Sequence, residues 1–564
     1  MLARSVWFLF SLLAMSQQRP GPPSQSPSSA PQAQEFRISG IVQDGVSGVP
    51  LEGTEVSISP SESPVQDAVA PVVTSAEGHF VFEHVTAGKY VLSAKRRGYA
   101  SQNYDGHDGF TTAIVVGPQL DSQNLVFRIV PEAAITGQVI DQFGESVRRA
   151  EVILFAEGLT EGRTSIRRRG QTQTDDQGRY RLGGLPKGRY YVAVSARPWY
   201  AQNVTAEAMA ASPPPDPNRP ATGFRQIVEQ NPSLDVVYPL TFYQGTTDSA
   251  RASAISLDPG AVATADFSPV AVPALHLRLT APGLDLSKPL AVSVEQSAFG
   301  LPGAFAETMQ AWSDSDSIGI VGVPPGEIRL NAQGGAEQPL LFNETLNASE
   351  GMEINLNHQA RGVPVSGVVA LTAGARLPER TSLILREIER GRFSQTLIKT
   401  DGSFDFGDWV NPGKYTPTLS LGGGSSWYVA AVQAEGASVS GRVLDLRSAD
   451  PVRLTVEISE GLGSVEGVAQ RDGKGVGGAM IVLVSKELVS NDVAGGAVFG
   501  RDQSNSDGSF AIPNVPPGEY TVLAIQNGWD QEWGDPSVLR RWLPGGAAVR
   551  VAPNGKSSVL VNVQ

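Results

Sequence analysis

The chain has 564 residues, too many for one hydrophobic core, and a usual size of about 100 to 150 residues per domain gives roughly four or five domains. Its net charge of −13 disfavours a nucleic-acid partner, because an acidic surface repels phosphate. No cysteine occurs, so disulfides and a cysteine nucleophile are excluded. Abundant glycine (61 residues) and proline (40), with 18% charged residues, favour β-sheet domains over helical ones.

The N-terminus predicts export. Residues 1–16 carry Arg4, an apolar run from Val6 to Met15 and a small-x-small pattern ending at Ser16, which is typical of a secretory signal peptide. Residues 17–35 are rich in Pro, Ser and Gln and predict a disordered linker. We therefore expect a periplasmic, cell-surface or extracellular protein with no stable membrane span once the signal is removed.

A five-fold repeat predicts the architecture. In each copy a turn residue is followed two positions later by an aromatic residue or Ile, and ten or eleven positions later by a second glycine. The turn residue and the second glycine are Gly78 and Gly88, Gly178 and Gly188, Asp316 and Gly326, Gly402 and Gly413, Gly508 and Gly518. Apolar residues alternate after both, so each copy predicts a β-hairpin, and in four copies a proline one or two residues before the second glycine predicts a type II turn.

The segments around each repeat divide the chain into modules. Four modules open with an apolar-x-Gly-x-Val or Ala strand, centred on Gly40, Gly137, Gly367 and Gly467; the third module lacks this glycine. A closing strand is predicted at 125–130, 265–272, 454–458 and 559–563. Short, regularly spaced strands predict an all-β protein, a tandem array of about five Greek-key β-sandwiches of transthyretin or immunoglobulin type.

We place the five modules at 36–130, 131–271, 272–358, 363–459 and 462–564, with a proline-rich insertion at 199–233 in the second and a divergent third. The junctions are a few residues long and are not rich in Gly and Ser. They predict a semi-rigid, elongated string of modules.

The repeat resembles the carboxypeptidase regulatory-like domain, a transthyretin-like β-sandwich grouped with starch-binding-like and collagen-adhesin B-type modules. The matching residues in the second module are Gly137, Thr174, Gly178, Tyr180, Leu185, Pro186, Gly188 and Tyr190, and the fifth module has a similar set. Residues 238–246 look like a segment found between such modules in exported proteins of soil bacteria, especially acidobacteria. The resemblance implies a non-catalytic appendage, because these positions form turns and cores.

No catalytic centre is visible in the sequence. None of the five histidines has a Glu at the His-x-x-Glu spacing that a zinc carboxypeptidase needs, and serine-hydrolase, Walker and dinucleotide motifs are missing. We therefore expect no catalytic residue, no cofactor and no metal. A carboxylate pair among the 57 acidic residues stays open as an alternative, because such pairs have no local signature.

Aromatic residues outside the repeat are the candidates for ligand binding, because rings on loops can stack on sugar faces or proline-rich ligands. They are Trp199, Tyr200, Phe242, Tyr243, Trp427, Trp529 and Trp533. The competing interpretation is that these rings fill module cores or interfaces.

The preferred function is that of an exported, non-catalytic modular protein that binds or scaffolds through its β-sandwich repeats. Carbohydrate is the candidate ligand, and a polysaccharide or another envelope protein is the candidate partner. The alternatives are an extracellular polymer-degrading hydrolase with an unrecognised carboxylate pair, and a structural spacer with no ligand of its own.

Overall fold

The computed structural model describes residues 35–61, 69–120, 122–160, 162–201, 233–282, 290–296, 298–301, 306–307, 311–313, 317–334, 341–356, 362–371, 376–388, 393–407, 410–421, 426–447, 450–486 and 498–564. These residues form successive pairs of β-sheets, each pair enclosing a hydrophobic core. The all-β prediction is thereby confirmed. The predicted signal peptide, nearly all of the predicted linker and most of the 199–233 insertion lie outside the described residues.

The first sandwich sets the pattern for the others. One sheet has the strand order β4-β1-β8, with β8 parallel to β1, and the other has the order β3-β2-β5-β6, with β7 also on β5. Its strands are Phe36–Asp44 (β1), Glu55–Pro60 (β2), Val72–Val73 (β3), His79–Val85 (β4), Gly88–Lys95 (β5), Gln102–Asn103 (β6), Ile114–Val116 (β7) and Leu125–Ile129 (β8).

The second sandwich repeats this topology with the sheets β12-β9-β17 and β11-β10-β13-β15, and β16 pairs with β13. Its strands are Ala133–Gln138 (β9), Glu151–Thr160 (β10), Arg163–Gln173 (β11), Arg179–Leu185 (β12), Gly188–Ser195 (β13), Val236–Val237 (β14), Thr241–Phe242 (β15), Ile255–Leu257 (β16), Val262–Thr264 (β17) and Val272–Pro273 (β18), with a 3₁₀ turn at Ser249–Arg251. The parallel closing strand is β17, so the predicted closing strand at 265–272 was placed too late.

The third sandwich has the sheets β22-β23-β19-β26 and β21-β20-β24-β25. Its strands are Leu275–Thr280 (β19), Leu290–Gln296 (β20), Ala306–Glu307 (β21), Ala311–Ser313 (β22), Ser317–Val323 (β23), Gly326–Gly334 (β24), Leu341–Ala348 (β25) and Glu353–Asn355 (β26). The last strand is again parallel to the first, so this module keeps the common topology despite its divergent sequence.

The fourth sandwich has the sheets β30-β27-β35-β32 and β29-β28-β31-β34-β33. Its strands are Val365–Leu371 (β27), Ser382–Glu387 (β28), Phe393–Leu397 (β29), Ser403–Asp405 (β30), Gly413–Ser420 (β31), Trp427–Glu435 (β32), Ser438–Ser440 (β33), Val443–Leu446 (β34) and Val452–Glu460 (β35).

The fifth sandwich has the sheets β37-β36-β40, with β43 parallel to β36, and β39-β38-β41-β42. Its strands are Gly463–Arg471 (β36), Lys474–Gly475 (β37), Met480–Ser485 (β38), Val498–Gln503 (β39), Ser509–Val515 (β40), Gly518–Ile525 (β41), Ala547–Val551 (β42) and Lys556–Asn562 (β43). Short helical turns lie between β41 and β42, at Gly528–Asp530, Pro536–Arg540 (α1) and Leu543–Gly545. Among the described residues no helix has the length and apolar character to cross a membrane.

The two strands of each repeat do not form the predicted hairpin. In the first sandwich β4 pairs with β1 and β5 pairs with β2, so the chain crosses from one sheet to the other between them. The same crossing separates the corresponding strands in the other four sandwiches. The sequence pattern is misleading here because alternation identifies two strands but does not identify their partners.

The second glycine of the repeat supports a tyrosine corner. In four modules the tyrosine two residues after this glycine donates its hydroxyl hydrogen to the backbone carbonyl four residues earlier. The pairs are Tyr90 with Thr86 (3.1 Å), Tyr190 with Pro186 (2.7 Å), Tyr415 with Asn411 (2.7 Å) and Tyr520 with Pro516 (2.6 Å). A Cβ on Gly518 would lie 3.3 Å from the Tyr520 ring.

The predicted type II turn is wrong in the second, fourth and fifth modules, where proline precedes the second glycine. A type II turn places a glycine at positive φ, whereas only the second glycine of the third module, Gly326, has this conformation (φ +111°) among the five second glycines. In the other four modules the second position of the repeat is glycine because of its small size. A glycine there lets the tyrosine ring lie against the backbone.

The glycine of the opening strand forms a unit with the aromatic residue of the repeat. Gly467 lies opposite Phe510 in the sheet, and a Cβ on Gly467 would be 2.2 Å from the Val559 carbonyl oxygen and 2.6 Å from the Phe510 ring. The pairs Gly40–Phe80, Gly137–Tyr180 and Gly367–Phe404 occupy the same register. In the third module Leu279 and Ile318 take these places, and both are buried.

The two ends of the array are in contact. Backbone and side-chain hydrogen bonds join residues 105–115 of the first module to residues 501–506 of the fifth, almost 400 positions away. An extended string of modules does not allow this contact, so that prediction is wrong for the ends of the chain. Linker composition could not reveal the contact, because the contact depends on surface complementarity between distant modules.

Candidate functional site

Three of the predicted ligand-stacking residues lie in buried positions. Phe242 is 1% exposed and packs with Phe155 and Phe299 between the second and third modules. Trp529 and Trp533 are 8% and 6% exposed and cover the outer face of β38 and β41 in the fifth module. A ring with so little free surface cannot stack on an external ligand, so we do not carry these three residues forward as binding residues.

Two further candidates are half-buried against module cores. Tyr243 packs on the core of the second sandwich and meets Phe267 edge-on at 6.3 Å. Trp427 lies at the start of β32 against the core of the fourth sandwich. Their main contacts are thus structural.

The remaining pair, Trp199 and Tyr200, forms an exposed aromatic cluster with a residue that the sequence analysis missed, Phe143. Trp199 is 78% exposed and Phe143 is 68% exposed. The Tyr200 ring stands between them, edge-on to each, with centroid distances of 5.8 Å to Trp199 and 5.9 Å to Phe143. We call these three rings the aromatic cluster of the second module.

Two chain segments hold the cluster. Phe143 lies in the turn after β9, where one carboxylate oxygen of buried Asp141 accepts hydrogen bonds of 2.9 Å from the backbone N–H groups of Phe143 and Glu145. Gly144 follows Phe143 with φ +83°. This turn projects Phe143 outward, because the Asp141 side chain fixes the backbone around it. Trp199 and Tyr200 follow β13.

Polar groups surround the rings. The Trp199 indole N–H donates to the Glu145 carboxylate at 3.1 Å, and the Gln142 amide donates to the Tyr200 hydroxyl at 2.9 Å. The Gln142 carbonyl oxygen also accepts a hydrogen bond from the Ala271 N–H at 3.0 Å. Below the cluster, burial raises the pKa of Tyr238 to about 12, with Asp141 and Tyr200 adding to the shift. The cluster therefore offers ring faces together with hydrogen-bonding groups at one surface position.

Among the described carboxylates with a resolved pKa shift, the half-buried Asp502 on β39 has a raised pKa. Burial raises its pKa, while hydrogen bonds from the Ala511 and Gln503 N–H groups and the charge of Lys89 act in the opposite direction. Each oxygen of Asp502 accepts one of these backbone hydrogen bonds, at 2.7 and 2.8 Å. These contacts give Asp502 a structural role. In the described ranges no group of three or more His, Asp or Glu side chains is placed to hold a metal ion.

The fold and the site define a class of protein: a modular all-β chain whose repeats are two-sheet sandwiches. The model of the carboxypeptidase regulatory-like domain matches residues 37–121 and 134–214. The two matches fall in the first and second modules and confirm the resemblance drawn from the repeat. No curated protein matches the chain.

Solved structures with similar chains include a protein of Bacillus anthracis and two pilins. The Bacillus anthracis TIE protein is 10% identical, with 95% of this chain and 75% of that chain covered and a TM-score of 0.17. A streptococcal ancillary pilin is 13% identical over 52% of this chain and 99% of its own, with a TM-score of 0.17. The minor pilin GBS52 of Streptococcus agalactiae is 13% identical over 42% and 96%, with a TM-score of 0.20. Likeness at these scores carries no inference about function.

Sequence reasoning missed Phe143 because a single aromatic residue in a polar turn has no repeat or spacing of its own. The signal that could have identified it is the Asp-x-Phe-Gly order at 141–144, since an Asp that caps a tight turn presents the next side chains to solvent.

Proposed function

We propose that this protein is an exported, non-catalytic modular protein that binds a polysaccharide through the aromatic cluster of the second module. The observation that carries the proposal is the exposure of Trp199 and Phe143 on either side of the Tyr200 ring. Large aromatic side chains are rarely left this exposed without a partner, and a rigid sandwich supports the turn that presents them. Export rests on the signal sequence predicted at residues 1–16.

The chemistry of the cluster suits sugars. The flat apolar face of a sugar ring stacks on an exposed aromatic ring, while the sugar hydroxyls need hydrogen-bond partners at the edge. Glu145 and Gln142 supply such partners at positions already fixed by their contacts to Trp199 and Tyr200. A ligand of this kind gains both stacking and polar contacts at one place.

The test is binding of the full chain to a panel of soluble and insoluble polysaccharides, compared with Trp199→Ala and Phe143→Ala. We expect each substitution to weaken binding of the best ligand about tenfold, since loss of one stacking ring costs about 1 to 2 kcal/mol. Phe393→Ala is the matched control, because Phe393 is also exposed, at 65%, but lies in the fourth module. Binding that survives both substitutions, or falls equally with Phe393→Ala, would exclude the aromatic cluster as the binding site.

A structural spacer is the second candidate function. The observation in its favour is the burial of Phe242, Trp529 and Trp533, which places three of the seven candidate rings at module interfaces. The spacer would bind none of the polysaccharides, and Trp199→Ala would leave every measured property unchanged. Hydrolysis of any polymer in the same panel, abolished by an Asp or Glu substitution, would instead support the hydrolase alternative.

A further inference from the structure

A surface of the first module receives an edge of the fifth. Strand β7 pairs with β5 on one side, and on its other side the Ser506 N–H donates to the Ala113 carbonyl oxygen at 2.9 Å. The Val115 N–H in turn donates to the Ser506 hydroxyl oxygen at 2.8 Å. An open strand edge offers unpaired backbone groups, and here one residue of the fifth module satisfies two of them.

Charged and polar side chains extend this contact. Gln503 is buried, and its amide donates to the Asp105 carbonyl oxygen at 2.5 Å and to the Thr112 hydroxyl at 2.7 Å. Arg501 forms an ion pair with Asp108 at 3.0 Å. Arg501 and Gln503 at the end of β39, together with Ser506 in the turn that follows, thus all contact the first module.

Arg501 is also enclosed by aromatic rings from both modules. Its guanidinium lies 3.8 Å from the ring centroid of Trp533 and 5.1 Å from that of Phe110, which belongs to the first module. Trp529 stacks in parallel on His107 of the first module at 5.3 Å, with 6° between the rings. A planar cation between aromatic faces gains cation–π energy in addition to its ion pair.

The second module adds an arm to the same place. The connection between β10 and β11 reaches the segment after β41, where the Gly534 N–H donates to the Gly162 carbonyl oxygen at 2.9 Å and the Thr164 N–H donates to the Glu532 carboxylate at 3.1 Å. Leu159 on this arm packs against the apolar cluster that contains Trp529 and Trp533. The first, second and fifth modules therefore meet at one place, which we call the three-module junction.

We propose that the three-module junction is a specific docking site by which the fifth module binds the first and second modules of the same chain, and that Arg501 contributes most to this binding. Arg and Trp in desolvated centres dominate protein interfaces, and Arg501 combines an ion pair with two ring contacts from different modules. The docking closes the array into a loop that can open.

The ability to open follows from incomplete polar pairing at the junction. Gln503 Oε1, Arg501 Nη1, Trp533 Nε1 and His107 Nδ1 are buried and have no hydrogen-bond partner among the described residues. Buried polar groups without partners cost free energy, and four of them meet at this junction. We therefore expect the junction to separate at a lower free energy than the unfolding of the sandwiches it connects.

The test combines hydrogen exchange and small-angle scattering on the full chain. Arg501→Ala is expected to raise the exchange rate of the Val115 amide at least about tenfold and to increase the maximum particle dimension, while amides of β38 and β41 keep their protection. Arg501→Lys keeps the charge opposite Asp108 but loses the planar stacking, so an intermediate rate is expected. Arg471→Ala, at an exposed arginine of the same module, is the matched control and should change neither readout.

Dilution of the wild-type protein separates docking within one chain from docking between two copies. Protection of Val115 that does not depend on protein concentration supports the proposal. Protection that disappears on dilution would mean that the partner is a second copy, and unchanged exchange and dimensions in Arg501→Ala would mean that Arg501 does not hold the junction; either result overturns the proposal as stated.

Discussion

The third module and its four companions reach the same topology with different residues. In the four companions a glycine on the opening strand faces an aromatic ring, and a tyrosine hydroxyl closes the crossing between the sheets. In the third module Leu279 faces Ile318, and Ile328 stands where the tyrosine would be. The parallel pairing of first and last strands is nevertheless the same.

The comparison shows that the glycine and the aromatic ring act as one unit. Two kinds of residue pair fill the space between the opening strand and the core. In one a glycine lies opposite a large ring, and in the other a leucine lies opposite an isoleucine. The two pairs are equivalent in volume, because one small and one large residue replace two residues of middle size. Either pair is compatible with the fold. A mixed pair leaves a clash or a cavity.

The largest effect is expected from converting the fifth module to the pair of the third. Gly467→Leu alone should cost about 3 kcal/mol or more, because its side chain meets the Val559 carbonyl oxygen and the Phe510 ring. Adding Phe510→Ile should recover part of this loss, a coupling that a double-mutant cycle measures through amide exchange in β36 and β43. Strictly additive effects would show that the two residues do not form a unit.

The reverse exchange in the third module tests the same idea from the other side. Leu279→Gly should cost about 4 kcal/mol, from the cavity it leaves and the added freedom of glycine in the unfolded chain. Ile318→Phe should restore about 1 kcal/mol or more of this loss by filling the cavity. Leu277→Gly is the control, because Leu277 faces Ile320 and should not be rescued by Ile318→Phe.

A smaller effect is expected at the tyrosine corner. Tyr520→Phe removes the 2.6 Å hydrogen bond to the Pro516 carbonyl and should destabilise the fifth module by about 1 kcal/mol, with similar losses for Tyr190→Phe and Tyr415→Phe in their own modules. Calorimetry of the full chain should show one shifted transition per variant. The corner would be dispensable if none of the three substitutions moved a transition.

The smallest expected effect is a pH dependence that the third module lacks at this position. Burial raises the pKa of Tyr190, with the Arg169 charge acting in the opposite direction. The unfolded hydroxyl ionises near pH 10, so the contribution of Tyr190 to stability is complete below about pH 10 and is lost as the pH rises through the folded pKa. The stability difference between wild type and Tyr190→Phe should therefore stay constant up to about pH 10 and shrink above it. An unchanged difference would contradict the assignment.

The repeat predicted the modules because it contains local information. The sequence predicted a turn at the first glycine of each repeat and a strand in the alternating residues after it. The structure has positive-φ glycines at four of these turns, followed by strands: Gly78, Gly178, Gly402 and Gly508. Strand partners were not predictable in this way. The sheet crossing and the three-module junction depend on contacts between residues distant in sequence, which no local pattern records.

The candidate site was likewise predictable only in part. Trp199 and Tyr200 were found because aromatic residues outside the repeat are conspicuous, whereas burial separated them from Phe242, Trp529 and Trp533. Burial of these three comes from a second apolar face on the larger sheets of the second and fifth modules, which the segments at 238–246 and 528–545 cover. A sandwich with two buried faces on one sheet cannot be recognised from alternation alone.

The parallel pairing of the first and last strands has a mechanical consequence. Because these strands run side by side in the same direction, as β1 does with β8 and β36 with β43, the chain enters a module at one end and leaves it at the other. Tension applied along the polypeptide therefore pulls the two strands past each other and strains all the hydrogen bonds between them together. A sandwich loaded in shear resists extension better than one whose bonds open one after another.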